Sequence, residues 1–141
     1  MGFLTTQDEQ AVQKEFEKLS GPVTLSVFAS ELGSENNSQA VALIKEVGAL
    51  SDKITVRVLN PYIERDETAA YGISVTPAVA VEGSKDYGIR FLGVPAGYEF
   101  SNLIDSIIAV SRGEAQLKEE SKAALSGLAQ DVTIKVFATP T

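Results

Sequence analysis

The octapeptide Val23-Thr24-Leu25-Ser26-Val27-Phe28-Ala29-Ser30 returns near the C-terminus as Val132-Thr133-Ile134-Lys135-Val136-Phe137-Ala138-Thr139. A charged, amphipathic segment precedes each copy, residues 8–19 before the first and 117–128 before the second, so a helix-plus-strand module recurs rather than a lone peptide. The repeat predicts a complete unit over residues 1–113 and the opening helix and strand of a second over residues 114–141. The second unit is expected to be truncated, with no counterpart of residues 33–50.

What the chain lacks narrows its chemistry. Among 141 residues there is no Cys and no His, which removes disulfides, thiol nucleophiles, redox dithiols, imidazole bases and the ordinary zinc or haem ligand sets. No metal and no cofactor is expected. Catalysis would have to come from carboxylates, Ser, Thr, Tyr, Lys or Arg. A net charge of −7 with scattered Lys and Arg argues against nucleic acid and anionic membranes as partners. Apolar runs are short and the first nine residues lack the pattern of a secretory leader, so a cytoplasmic location is the default.

Thr6-Gln7-Asp8-Glu9 has the form of a capping box, and Val12, Phe16 and Leu19 then recur on one helical face before Ser20-Gly21-Pro22 stops the helix. Residues 23–29 are apolar on both alternating faces, as in a central strand covered by helices from two sides. Ala40, Val41, Ile44, Val47 and Leu50 mark a second amphipathic helix, and residues 53–59 a parallel strand, which completes a right-handed βαβ unit. A short helix over residues 67–71 ends at Gly72. Residues 78–82 and 87–92 form an antiparallel hairpin around Gly83-Ser84-Lys85-Asp86. Leu103, Ile104, Ile107, Ile108 and Val110 place a broad apolar helix on the sheet, closed by Arg112-Gly113. The predicted order is αβαβαββα with a mixed sheet. In the repeated helix Leu117, Ser121, Ala124, Leu125 and Leu128 are expected to face inward, and the absence of a low-complexity linker predicts continuous packing.

A βαβ unit, a Pro-initiated hairpin and a helix make up the thioredoxin-like arrangement, and Val75-Thr76-Pro77 sits where that fold carries a cis-proline. Leu50-Ser51-Asp52-Lys53, Asp86-Tyr87-Gly88-Ile89-Arg90-Phe91-Leu92-Gly93 and Val94-Pro95-Ala96-Gly97-Tyr98-Glu99-Phe100 sharpen the likeness. Together they resemble the N-terminal unit of the tandem, glutaredoxin-like protein disulfide oxidoreductases, and a similar module heads the alkyl hydroperoxide reductase flavoprotein. The resemblance spans essentially the whole chain. Its most specific part is the Gly-x-Pro-x-Gly-x-Glu-Phe pattern formed by Gly93, Pro95, Gly97, Glu99 and Phe100. In that family the second unit's first strand leads into Thr-Pro-x-Cys-x-x-Cys, and Ala138-Thr139-Pro140-Thr141 looks like its leading edge.

The resemblance puts the first unit's own redox position at Ser34-Glu35-Asn36-Asn37, with both cysteines replaced. A serine hydroxyl near neutral pH cannot attack a disulfide sulfur, so this degenerate motif is expected to be catalytically silent. Ser34 reads first as a helix N-cap, and second as an anion or thiolate site at a helix N-terminus. Asn36 and Asn37 read as capping or turn residues. Val75, Thr76 and Pro77 are the peptide-binding candidates, since main-chain groups before a cis-proline pair with an extended chain; alternatively Pro77 only sets the start of a strand. Glu99 reads as a helix-N-terminal residue matched to the dipole, or as an accessory carboxylate with Tyr98 beside the old motif. Paired-carboxylate and phosphate-loop readings find no support in spacing.

The leading expectation is a redox-inactive thioredoxin-fold unit of a protein disulfide oxidoreductase involved in thiol–disulfide exchange and cell redox homeostasis. It supports a catalytic thioredoxin-like unit of the same protein and offers a docking surface for extended polypeptide. The alternative is a stand-alone peptide-binding or chaperone-like module; a glutathione-dependent enzyme using Ser34 ranks below both. The apolar segment 132–138 needs a pairing partner, so self-association through it is expected.

Overall fold

The computed structural model describes residues 2–139. Its elements are α1 (Thr6–Phe16), β1 (Val23–Phe28), α2 (Glu35–Gly48), β2 (Ile54–Leu59), α3 (Arg65–Ala70), β3 (Ala78–Glu82), β4 (Ile89–Leu92), α4 (Tyr98–Arg112) and α5 (Glu119–Ser126). The strands form a four-stranded sheet in the order β2-β1-β3-β4. β1 runs parallel to β2 from Val23↔Ile54 to Phe28↔Leu59, and antiparallel to β3, which is itself antiparallel to β4. The predicted αβαβαββα order and mixed sheet are therefore present.

The capping box lies one residue before its expected place. Thr5 is the N-cap of α1, its hydroxyl accepting from the Asp8 amide while the Asp8 carboxylate accepts from the Thr5 amide. Two successive threonines allow either register. The Glu46 carboxylate accepts from the amides of Phe3 and Leu4, which holds the chain leading into Thr5 against α2. Val12, Phe16 and Leu19 are buried as their spacing predicts.

The two faces of the sheet differ. On one, Leu25, Val27, Val79 and Val81 pack with α1, α2 and α4 in the main core, which includes Leu43, Ile44, Leu103 and Ile107. Here glycines let elements approach closely: a Cβ on Gly48 would stand 2.3 Å from the Val56 side-chain Cγ2, and one on Gly83 only 2.1 Å from the Val110 carbonyl oxygen. On the other face Phe28, Leu59, Ala78 and Ala80 gather beneath Tyr71 and Ile73 in a smaller cluster. That face has the six-residue α3 as its nearby helix, so the expected helical cover on both sides is realised fully on one side and partly on the other. The reason stands in the cross-strand rows: Ser26 lies beside Arg57 and Ala80, and Ala80 beside Arg90. Charged heads on this row reach solvent, with Arg57 paired to Glu67 and Arg90 to Asp86.

After α4 closes at Gly113, which adopts the left-handed conformation, packing stops. α5 has no buried residue; Leu117, Leu125 and Leu128 are 46–56% exposed. The inward face expected for this helix is thus solvent-facing. Residues 131–139 belong to no strand, and the ladder expected for the repeated octapeptide does not form. Val132, Ile134, Val136 and Phe137 all stand exposed. Of the expected leading edge Ala138-Thr139-Pro140-Thr141, the last two residues lie outside the described residues.

Candidate functional site

In the degenerate motif, Ser34 ends the loop between β1 and α2 and Glu35, Asn36 and Asn37 form the first turn of α2, at the carboxyl end of the central strand. Ser34 takes the extended conformation of an N-cap, yet its hydroxyl caps no backbone amide of α2. It accepts instead from Asn37 Nδ2 at 3.3 Å, while Asn37 Oδ1 accepts from the Ser30 amide at 3.0 Å. Asn37 is 4% exposed and so bolts the loop to the first turn of the helix with both ends of its amide. Ser30 adds two further closures: its hydroxyl accepts from the Leu32 amide, and its carbonyl accepts from the Gly33 amide. Glu35 and Asn36 are exposed. The motif position is therefore an ordered hydroxyl-and-amide loop without a nucleophile activated by a neighbouring base.

Ser30, Ser34, Asn37, Val41, Lys45 and Val58 are among the residues lining a cleft of about 410 Å³ beside this loop. Thr76 and Pro77 do not line it. The peptide bond between Thr76 and Pro77 is cis, and Pro77 is buried with its carbonyl oxygen accepting from the Gly93 amide at 2.8 Å. Val75 is 57% exposed, and among the described backbone hydrogen bonds none is made by Val75 or Thr76. Two consecutive residues at the start of β3 thus present main-chain donors and acceptors with no internal partner.

Tyr98 and Glu99 open α4 and are both exposed, so Glu99 is not a buried carboxylate beside the motif. They line a separate cavity of about 830 Å³ together with Asn102, Val136 and Ala138. The three groups of candidates share one end of the sheet but do not converge on one pocket.

Apart from Asp8, lowered by its hydrogen bonds to Thr5 in the α1 capping box, the ionisable groups with perturbed environments lie over the polar face. The Arg90 guanidinium holds the Asp86 carboxyl below its ordinary value, and Asp86 in turn raises Arg90. Burial, followed by the hydrogen bond its hydroxyl donates to Glu82 at 2.9 Å, pushes Tyr71 upward. These groups pin α3 and the hairpin to the sheet; Arg90 also donates to the Tyr71 carbonyl and lies over its ring. Among the described residues no three acidic side chains gather so as to hold a metal ion, and no helix is long and apolar enough to cross a membrane.

Three exposed side chains escaped the sequence reading: Leu32, 97% exposed beside the motif, and Tyr62 and Ile63 after β2, at 69% and 75%. Each sits in a turn-forming stretch, where an apolar residue belongs to no helical or strand period. Their setting among Gly, Ser and Asn, or directly after Pro61, was the available signal.

No family model matches the chain. It is 30% identical over 120 residues to a protein named NADH dehydrogenase from Ferdinandcohnia aciditolerans, covering 84% of this chain and 20% of that protein. It is 29% identical over 115 residues to the alkyl hydroperoxide reductase AhpF from Staphylococcus epidermidis, covering 80% of this chain and 20% of the relative. The chain thus spans about a fifth of the length of the curated relatives it matches. A solved AhpF from Enterococcus faecalis superposes with a TM-score of 0.81 at 25% identity, over 89% of this chain and 61% of that one. A protein disulfide oxidoreductase from Aeropyrum pernix gives 0.78 at 23% identity, over 88% and 55%. The chain therefore has a thioredoxin-like fold, and its structural neighbours are the N-terminal domain of the alkyl hydroperoxide reductase AhpF and a protein disulfide oxidoreductase.

Proposed function

We propose that this chain is a redox-inactive thioredoxin-fold unit that supports a catalytic thioredoxin-like unit of a protein disulfide oxidoreductase and docks extended polypeptide at Val75 and Thr76. The observation that carries this reading is the motif loop. Its redox position is occupied by Ser34 and Asn37, bonded to each other and to Ser30, in a chain without cysteine. Thiol–disulfide exchange requires a thiolate, which this loop cannot supply.

The unpaired main chain before Pro77 supports the docking role, because an extended segment can add there as a strand does, through backbone hydrogen bonds. In this reading residues 114–141 begin the partner unit, and the repeated helix and octapeptide find their packing inside it. An insulin-reduction assay driven by dithiothreitol tests the inactive role: the chain adds no rate over dithiothreitol alone, and turnover would overturn the proposal. Titration of the isotope-labelled chain with an unfolded polypeptide tests docking. Amide shifts are expected at Val75 and Thr76; saturable binding that leaves both unmoved would remove that part.

A further inference from the structure

The sheet register gathers a set of loops whose surface chemistry has no role in the fold. Phe28 pairs with Leu59 and with Ala78, and Ala78 pairs with Leu92. The ends of β1, β2 and β4 and the start of β3 therefore form one rim of the sheet. From the loops on that rim Leu32, Tyr62, Ile63, Val75 and Tyr98 stand 57–97% exposed. The loops on the opposite rim, residues 20–22, 51–53 and 83–88, carry Tyr87 alone among the large exposed apolar side chains. Apolar exposure concentrated on one rim of a molecule marks a surface that another molecule covers.

Charge on the same rim is mostly of one sign. The loops and the first turns of the helices they enter hold Glu31, Glu35, Glu64, Asp66 and Glu99, against the cation Arg65. The Glu64 carboxylate is engaged by the Asn60 amide, whereas among the described residues no ion pair neutralises Glu31 or Glu99. An acidic, apolar rim with unpaired main chain at Val75 and Thr76 selects against acidic partners and against nucleic acid.

We infer that the segment docking on this rim is an extended polypeptide in which apolar side chains alternate with lysine or arginine. This rests on the peptide-docking reading above and adds the chemistry of the partner. An added strand presents alternate side chains to opposite sides, so one set meets the apolar side chains of the rim while the other set lies among its carboxylates. The chain itself carries an apolar segment with one interleaved lysine: residues 132–138 read Val-Thr-Ile-Lys-Val-Phe-Ala, and Val136 and Ala138 line the cavity shared with Tyr98 and Glu99.

Two synthetic peptides with the same alternating Val and Phe residues, one interleaved with Lys and the other with Glu, test the inference on the full chain. Amide shifts locate binding and fluorescence anisotropy measures it. The Lys peptide is expected to move the amides of Leu32, Val75, Thr76 and Tyr98 and to bind at least about tenfold more tightly than the Glu peptide at low salt. That preference should shrink to about twofold in the triple variant Glu31→Gln, Glu35→Gln, Glu99→Gln, whose changes are all at exposed positions, and also at high ionic strength. Equal binding of both peptides at these amides would overturn the cationic preference while leaving docking intact. Failure of both peptides to move Val75 and Thr76 would overturn docking and the inference together.

Discussion

Residues 23–30 and 132–139 are nearly one sequence with two fates. In the first copy Val23, Leu25, Val27 and Phe28 are at most 1% exposed; in the second Val132, Ile134, Val136 and Phe137 are 63–91% exposed. Intrinsic preference cannot account for the difference, because it is nearly the same in both. β1 has β2 on one edge, β3 on the other, the large helices on one face and Tyr71 with α3 on the other. Residues 132–138 have no ladder partner at either edge among the described residues. A β-branched, apolar octapeptide therefore specifies readiness to pair, and the partners decide whether it becomes a strand. The preceding helices repeat the lesson, since α1 buries Val12 and Phe16 whereas α5 buries nothing.

The two copies differ most at Ser26 and Lys135, and exchanging them should break the contrast most severely. Ser26 is fully buried beside Arg57 in the cross-strand row. Ser26→Lys would force an ammonium into a fully buried position beside the guanidinium of Arg57, and the chain is expected to lose its cooperative unfolding transition, while Lys135→Ser leaves that transition unchanged. Circular dichroism through a urea titration of both variants decides this.

Next in size is the aromatic pair. Phe28→Ala should cost about 3–5 kcal/mol, and Phe137→Ala less than about 0.5 kcal/mol, read from the same titrations. Comparable losses would mean that the second copy is packed in solution. A smaller change sharpens the account of β1: the buried Ser26 hydroxyl makes no hydrogen bond of normal geometry and acts only weakly on the Tyr71 hydroxyl, so Ser26→Ala should stabilise by about 1 kcal/mol, and a loss of stability would show that Tyr71 satisfies this hydroxyl.

The smallest effect depends on pH. The Tyr71 ring lies 5.2 Å from that of Phe28, a neighbour that Phe137 lacks, and its hydroxyl titrates above the ordinary value in the fold. Because the folded value is raised, the contribution is complete below the unfolded value of about 10 and is lost as pH rises through the folded value. Thermal melts should therefore fall above about pH 10, and Tyr71→Phe should flatten that decline while keeping the ring contact. An unchanged alkaline slope in the variant would assign the decline to other groups.

Much of the fold over residues 6–112 was legible because its signals are local and periodic. Val12, Phe16, Leu103 and Ile107 announce buried helical faces through spacing alone, and Pro77 and Gly83 mark the limits of β3. The thin cover on the second sheet face was harder to read. β1 is apolar on both sides, but Arg57 and Arg90 on its neighbours turn that face polar, and only the register reveals that they share a row with Ser26. At the junction of β1 and α2, the sequence marked Ser34 as a helix N-cap. It could not show that the Asn37 amide, rather than the Ser34 hydroxyl, fastens the loop, because a bond from Asn37 to Ser30 depends on the path of the chain between them.

The close approach of Gly83 to the Val110 carbonyl bears on how sequences with this architecture can diverge. At that end of the sheet the hairpin and the last large helix touch through backbone, so a lineage can replace residue 83 only by rebuilding both elements together. On the opposite rim the glycines are confined as well, a Cβ on Gly33 standing 2.9 Å from the Ser30 carbonyl oxygen, but Leu32, Tyr62, Val75 and Tyr98 project outward and can be exchanged one at a time. Descent with modification would therefore hold the glycines of both ends constant while the outward side chains of the one rim change freely.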